Sequence, residues 1–304
     1  MKKLIVALGA IWLIGYFIIP SVDSYIVSIL LYAGINAILA MSLNLVNGCT
    51  GQFSMGHAGF MSIGGYIAAL ITLSLPIQTG LFPLAILTAG CVAAFAGLIV
   101  GLPSLRLRGD YLAIVTLGFG EIIRVVLLNI NVIGGARGLP NIAHLSNFSW
   151  VFGCMVITLF SIERILRSPY GRAFLAVRED EVAAEAMGVD TTHAKLQAFV
   201  IGAFFAGCAG ALFAHTLRYL NPQIFDFNRS FEIIIIVVLG GMGNIRGSII
   251  AAFLLTFMRE ALRPLQDITR IDFRMIIYAI MLISLMLLSP EGILSSKWRK
   301  RGRS

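Results

Sequence analysis

Charge is what this chain has least of. Asp, Glu, Lys and Arg supply 12% of its 304 residues, about half the share of an ordinary globular domain. That excludes a protein whose whole surface faces water. Cysteine is sparse too: Cys49, Cys91, Cys154 and Cys208 stand far apart, without the spacing of a metal site or a disulfide framework. They are read as packing residues. The histidines His57, His144, His193 and His215 show no paired spacing either, and no metal is expected. No G-x-x-x-x-G-K-[ST] loop occurs, which excludes ATP binding by the usual phosphate cradle. A nucleophile elbow and an H-E-x-x-H pair are also missing, so there are no candidate catalytic residues and no expected cofactor.

The charge that is present has a pattern. The formal net charge is +8, but the basic residues sit at the ends of apolar runs. Lys297, Arg299, Lys300, Arg301 and Arg303 close the chain in a tail spanning 290–304. This is the positive-inside signature of a membrane protein, and no nucleic-acid partner is expected.

What fills the rest is apolar. Hydrophobic residues make up 58% of the chain, and run after run approaches the ~20 residues that cross a bilayer. The expected fold is an all-α integral membrane protein, a polytopic helical bundle in a single domain over 1–304 with membrane lipid around it. About ten transmembrane helices are expected, over 4–19, 25–46, 54–75, 81–102, 112–130, 150–166, 196–217, 231–239, 249–262 and 276–288. The first run lacks a small-x-small cleavage site at Pro20-Ser21-Val22-Asp23 and is read as a retained anchor. Lys2/Lys3, Arg106/Arg108, 164–178, Lys195 and the tail then fall on one side, which places both termini in the cytoplasm.

Two segments are too rich in glycine for plain helices. Residues 47–65 read NGCTGQFSMGHAGFMSIGG, with six glycines, and Gly240-Gly241-Met242-Gly243-Asn244 breaks a later run. They are either broken helices lining a pathway or turns with glycine caps. Elsewhere, Gly202, Ala206, Gly210 and Ala214 recur every four residues, beside a second row of Ala203, Gly207 and Ala211; Gly97 and Gly101 repeat the motif. Such spacing lets two helices approach closely in lipid. Asn44, Gln52, Ser54, His57 and Thr116 are polar groups in apolar surroundings and are the pathway candidates. Among the few intramembrane acids, Glu163, Glu232 and Glu260 sit near span ends, and Glu121 forms an i,i+3 pair with Arg124. An intramembrane carboxylate is a functional candidate by default.

Residues 172–194, RAFLAVREDEVAAEAMGVDTTHA, form a soluble-looking island between apolar runs. It carries Arg178, Glu179, Asp180 and Glu181, then a small-residue helix that ends at Gly188. Nothing in lipid requires these charges, so the segment is read as a water-facing contact surface within a loop over 167–195.

Five ordered blocks carry a resemblance. They are TGQFSMGHAGFMSIGGY at 50–66, SLRLRGDYLAIVTLGFGEIIR at 104–124, GGARGLPNI at 134–142, the block 168–214, and VVLGGMGNIRG at 237–247. Together they resemble the permease subunits of bacterial ABC importers for branched-chain amino acids, the M-type more than the H-type. The likeness covers nearly all of the chain after its first helix. It implies alternating access in the bacterial inner membrane, beside a second related permease. Two cytoplasmic ATPases and a periplasmic or lipid-anchored substrate-binding protein complete such an importer. It also implies that the island is the EAA loop, which docks in a groove of the ATPase. The family pattern there is Glu-Ala-Ala, three residues, then Gly. Ala183, Ala184 and Gly188 match it, while Val182 stands at the glutamate position with Glu181 and Glu185 flanking. Arg178 and Glu179 are then placed to pair with the ATPase rim. Two other readings stand beside this one: an importer of urea, amides or other amino acids, and a stand-alone channel or secondary transporter.

Overall fold

A backbone in hydrocarbon has no water to bond, so it must satisfy its N–H and C=O groups internally, and a helix does that within one segment. The computed structural model describes residues 2–17, 19–74, 81–105, 107, 109–263, 280 and 283. Among them run eleven α-helices: α1 (Lys2–Phe17), α2 (Ser24–Asn44), α3 (His57–Ser74), α4 (Phe82–Ser104), α5 (Asp110–Asn129), α6 (Phe148–Arg167), α7 (Pro169–Glu179), α8 (Glu181–Ala186), α9 (Thr191–Leu217), α10 (Phe227–Gly240) and α11 (Ile245–Ala261). The one β-type contact among the described residues is an isolated bridge, Leu139 to Leu220. The all-α membrane fold expected from the sequence is therefore present.

Six of these helices are long and apolar enough to cross a membrane. Helices α1, α10 and α11 occupy further expected spans but are shorter. The expected span 276–288 (save Ile280 and Ile283), the tail 290–304, Arg106 and Arg108 lie outside the described residues. Boundaries differ where a polar side chain decides them. Helix α9 starts at Thr191, ahead of the expected 196, because Asp190 accepts from His193 N at 2.9 Å and caps it.

The small-residue stripes of α9 close against helices of the same chain. A Cβ on Gly64 of α3 would overlap the backbone of Gly207, and one on Gly210 would overlap Met61 O. On another face Gly97 of α4 meets Ala203, while Gly202 meets Ser42 O of α2. With so little between the backbones, α3, α4 and α9 pack nearly as tightly as peptides allow. Gly64→Ala is expected to lower stability by about 1–3 kcal/mol, the range for overpacking a filled core. The melting temperature of the purified chain checks this, and an unchanged value would contradict the packing described.

Two helices begin inside the bundle instead of at its edge. Helix α10 runs alongside α2, with Arg229 bonded to Asn36 near its start and Gly241 bonded to Asn44 just past its end. Asn36 stands 12 residues beyond Ser24, roughly 18 Å along α2. That is near the middle of the 26-residue apolar span Ser24–Cys49. Helix α3 starts beside it, where Ala58 N donates to Ser230 Oγ at 3.2 Å. The first expected break, ahead of α3, is therefore present, whereas the second, at 240–244, is the glycine turn between α10 and α11; the N-termini of α3 and α10 meet.

Candidate functional site

Between α2 and α3 the chain makes one π-helical turn, Leu45–Cys49, and then an irregular stretch over 50–56. Such backbone survives at membrane depth only under protein cover. Here the cover is built from the residues singled out as pathway candidates. Thr116 of α5 accepts from Met55 N at 3.0 Å through its hydroxyl. Ser54 N donates to Asn47 Oδ1 and Asn47 Nδ2 donates to Ser54 O, each at 3.2 Å. His57 Nε2 shares a hydrogen bond of 2.7 Å with Ser42 Oγ. Gln52 is different: it is buried, and neither end of its amide has a partner among the described residues.

Asn44 holds the second glycine-rich segment. Its Oδ1 accepts from Gly243 N at 2.7 Å, and its Nδ2 donates to Gly241 O at 3.2 Å and to Ser248 Oγ at 2.7 Å. Gly241 and Gly243 both have positive φ, 94° and 86°, a region in which any Cβ is strained. The sequence therefore reads Gly-Gly-Met-Gly where the α10–α11 hairpin turns. Gly48 of the π-turn lies against Gly243, so the two glycine-rich segments are in contact.

The charged island reaches this junction. Ser168 caps α7 by accepting from Gly171 N, with Pro169 at the first helical position. Near the far end of α7, the Arg178 backbone lies beside Gly51 and its guanidinium lies against Gly243. One residue thus touches both helix breaks. After it, Asp180 Oδ1 accepts from Val182 N at 2.9 Å and Ala183 N at 3.0 Å to start α8. Gly188 ends α8 with φ +85, donating to Glu185 O at 2.9 Å while Val189 N reaches Ala184 O at 3.0 Å. That is a Schellman motif, which explains a glycine here. Glu181 pairs with Lys195 of α9 at 2.6 Å and holds α8 down on its Ala184 side. Val182 and Met187 point away, 67% and 84% exposed. Glu179, Ala183 and Glu185 are exposed with them.

Glu121 pairs with Arg124 at 2.7 Å, both about a quarter to a third exposed. The more enclosed ionic group is one the sequence did not reveal. Glu232 of α10 binds Arg229 through Oε2 at 2.6 Å and Arg259 of α11 through Oε1 at 3.0 Å. Arg229 Nη2 also donates to Asn36 Oδ1 at 2.7 Å, and its guanidinium carbon lies 5.5 Å from the centre of the Phe213 ring. Arg259 follows Glu232 by 27 residues across a hairpin, so span by span each charge looked like an end residue. The signal was Arg229 at i−3 from Glu232.

A helical bundle with broken helices, an internal ionic cluster and a capped polar projection defines a multi-pass membrane transport subunit. The chain matches the family model described as "Branched-chain amino acid transport system / permease component" over residues 25–285, and it belongs to that family. It is 40% identical to the high-affinity branched-chain amino acid transport system permease protein LivM of Salmonella typhimurium, covering 84% of this chain and 67% of that one. The LivM protein of Escherichia coli is 38% identical over the same shares, 84% and 67%. The LivH protein of Escherichia coli is 27% identical, over 85% of this chain and 90% of its own. No solved structure matches the chain.

Proposed function

We propose that this chain is the M-type permease of a binding-protein-dependent ABC importer in a bacterial inner membrane, and that it carries branched-chain amino acids. The observation that carries the reading is the 40% and 38% identity to two LivM proteins. Similarity to LivH at 27% fits an importer in which two related permeases pair, this chain being one. The apolar faces of α4 and α5, with Leu87, Phe95, Ile114, Ile122 and Val126 exposed, supply surface for that partner and for lipid. Both termini lie in the cytoplasm, as do α7 and α8.

Helix α8 docks with one of two ATPases, with Val182 and Met187 entering its groove and Arg178, Glu179 and Glu185 around the rim. Ala183 and Ala184 keep the helix slim, and Gly188 ends it. The contact of Arg178 with Gly51 and Gly243 supports coupling between this helix and the breaks at 50–56 and 241–243. Asn44, Ser54, His57 and Thr116 frame the pathway wall, Gln52 offers it an amide that has no partner among the described residues, and Glu121 flanks it. A periplasmic or lipid-anchored binding protein delivers the substrate.

Uptake of labelled leucine, urea and ribose, in cells with and without the gene and before and after ATP depletion, tests this. ATP-dependent leucine uptake should vanish on deletion while the other two persist. Gene-dependent uptake that survives ATP depletion would replace the importer with a channel or secondary transporter.

A further inference from the structure

Beside the Arg229–Glu232–Arg259 cluster the bundle holds a cavity of about 340 Å³. Its charged wall consists of Arg229, Glu232, Arg259 and Asp226, two groups of each sign, and its apolar wall includes Tyr32, Phe213 and Ile224. The volume falls at the lower end of the ~300–1,000 Å³ of small-molecule sites. Arg229 is deepest, with a side chain 10% exposed, whereas Glu232 and Arg259 are 21% and 28% exposed. Buried Arg229 Nε finds no hydrogen-bond partner among the described residues.

Stability gives no reason for this group. A buried ion cluster is typically no more stable than apolar residues of the same volume, and an ionisable residue at membrane depth is retained for function. The position agrees, because α10 starts here, beside the start of α3 and level with Asn36 near the middle of the Ser24–Cys49 span. Transporters place substrate where broken helices begin.

We infer that this cavity binds a free zwitterionic α-amino acid with an apolar side chain, an inference that rests on the importer reading above. Guanidinium groups recognise a carboxylate by paired, charge-assisted hydrogen bonds, and Arg229 and Arg259 supply two. An α-ammonium needs carboxylate acceptors, and Glu232 and Asp226 supply them. The side chain lies against Tyr32, Phe213 and Ile224. Neutral urea or a simple amide would leave the cluster's charges without counterparts on the ligand.

The test is equilibrium binding of labelled leucine to the full-length chain, assembled with its partner permease in lipid nanodiscs. Competitors are leucine, isoamylamine, which lacks the carboxylate, and 4-methylpentanoate, which lacks the ammonium. Each truncated competitor should be roughly 10- to 100-fold weaker than leucine, the span that lost charged hydrogen bonds produce. R259Q should weaken leucine binding by about tenfold, and R259K should recover part of it. Equal competition by either analogue overturns the site, as does unchanged affinity in folded R259Q or the absence of saturable leucine binding. Because the analogue series uses the unaltered chain, it stands however the variants fold. Failure here with gene-dependent, ATP-dependent leucine uptake intact removes the site alone; failure of that uptake removes the importer reading.

Discussion

Valine at position 188 is expected to stop transport while leaving the protein in the membrane. Gly188 adopts φ +85, where an L side chain adds about 1–2 kcal/mol of strain and a β-branched one is a genuine outlier. The two hydrogen bonds that close α8, Gly188 N to Glu185 O and Val189 N to Ala184 O, depend on that conformation. Helix α8 has six residues, too few to persist on its own propensity, so losing its end unwinds it. Among the described residues nothing lies within 4 Å of the position a Cβ would take, and the bundle is left unstrained. Leucine uptake should fall about 5- to 30-fold, the factor that 1–2 kcal/mol makes in the helical population. Membrane abundance and melting temperature should match the wild type. Normal uptake by a correctly inserted G188V chain would end the assignment of α8 as the coupling element.

Asn44→Leu is expected to have the opposite profile, removing the fold along with the transport. One amide satisfies Gly243 N, Gly241 O and Ser248 Oγ in a wholly buried site. Leucine leaves Gly243 N unpaired, at about 1–3 kcal/mol, while Gly241 O loses one donor and keeps Asn244 N at 3.0 Å. That cost is a sizeable share of the ~5–15 kcal/mol that holds a typical domain together. The variant should show a clearly lower melting temperature in detergent and a reduced level in the membrane. Asn44→Asp, which keeps the acceptor for Gly243 N and loses the donor, should fall in between. Wild-type melting of N44L would mean that the Gly-Gly-Met-Gly turn holds without this clasp.

These two residues also mark how far a sequence can be read. Gly188 was legible because its role is local: a charged start, small residues and a glycine stop lie within one short stretch. The α9 stripe was legible as close packing for the same reason. Its partners were not, because spacing on one helix does not say which backbone comes near, and here there are three neighbours. Asn44, Ser54, His57 and Thr116 stood out as polar groups in apolar runs. The structure shows why polarity is tolerated there: Asn44 bonds the turn at 241–243, and Ser54, His57 and Thr116 bond at the break ahead of α3. The Arg229–Glu232–Arg259 cluster stayed hidden because it forms only when α10 folds back along α2 and the hairpin brings α11 beside it. Helix α10 also starts level with Asn36, midway along α2, which turns an apparent end residue into a central one.

The seam between α3 and α9 has a consequence for motion. Where Gly64 faces Gly207 and Gly65 faces Gly210, no side chain stands between the two backbones. Such a contact has no rotamers to exchange and no second packing to adopt, so it cannot act as a gear. Helices α3 and α9 must travel as one plate, with α4 carried along at Gly97 and Gly101. Any swing between two states is then taken up at the plate's margins, where side chains separate the helices and the backbone already departs from helix.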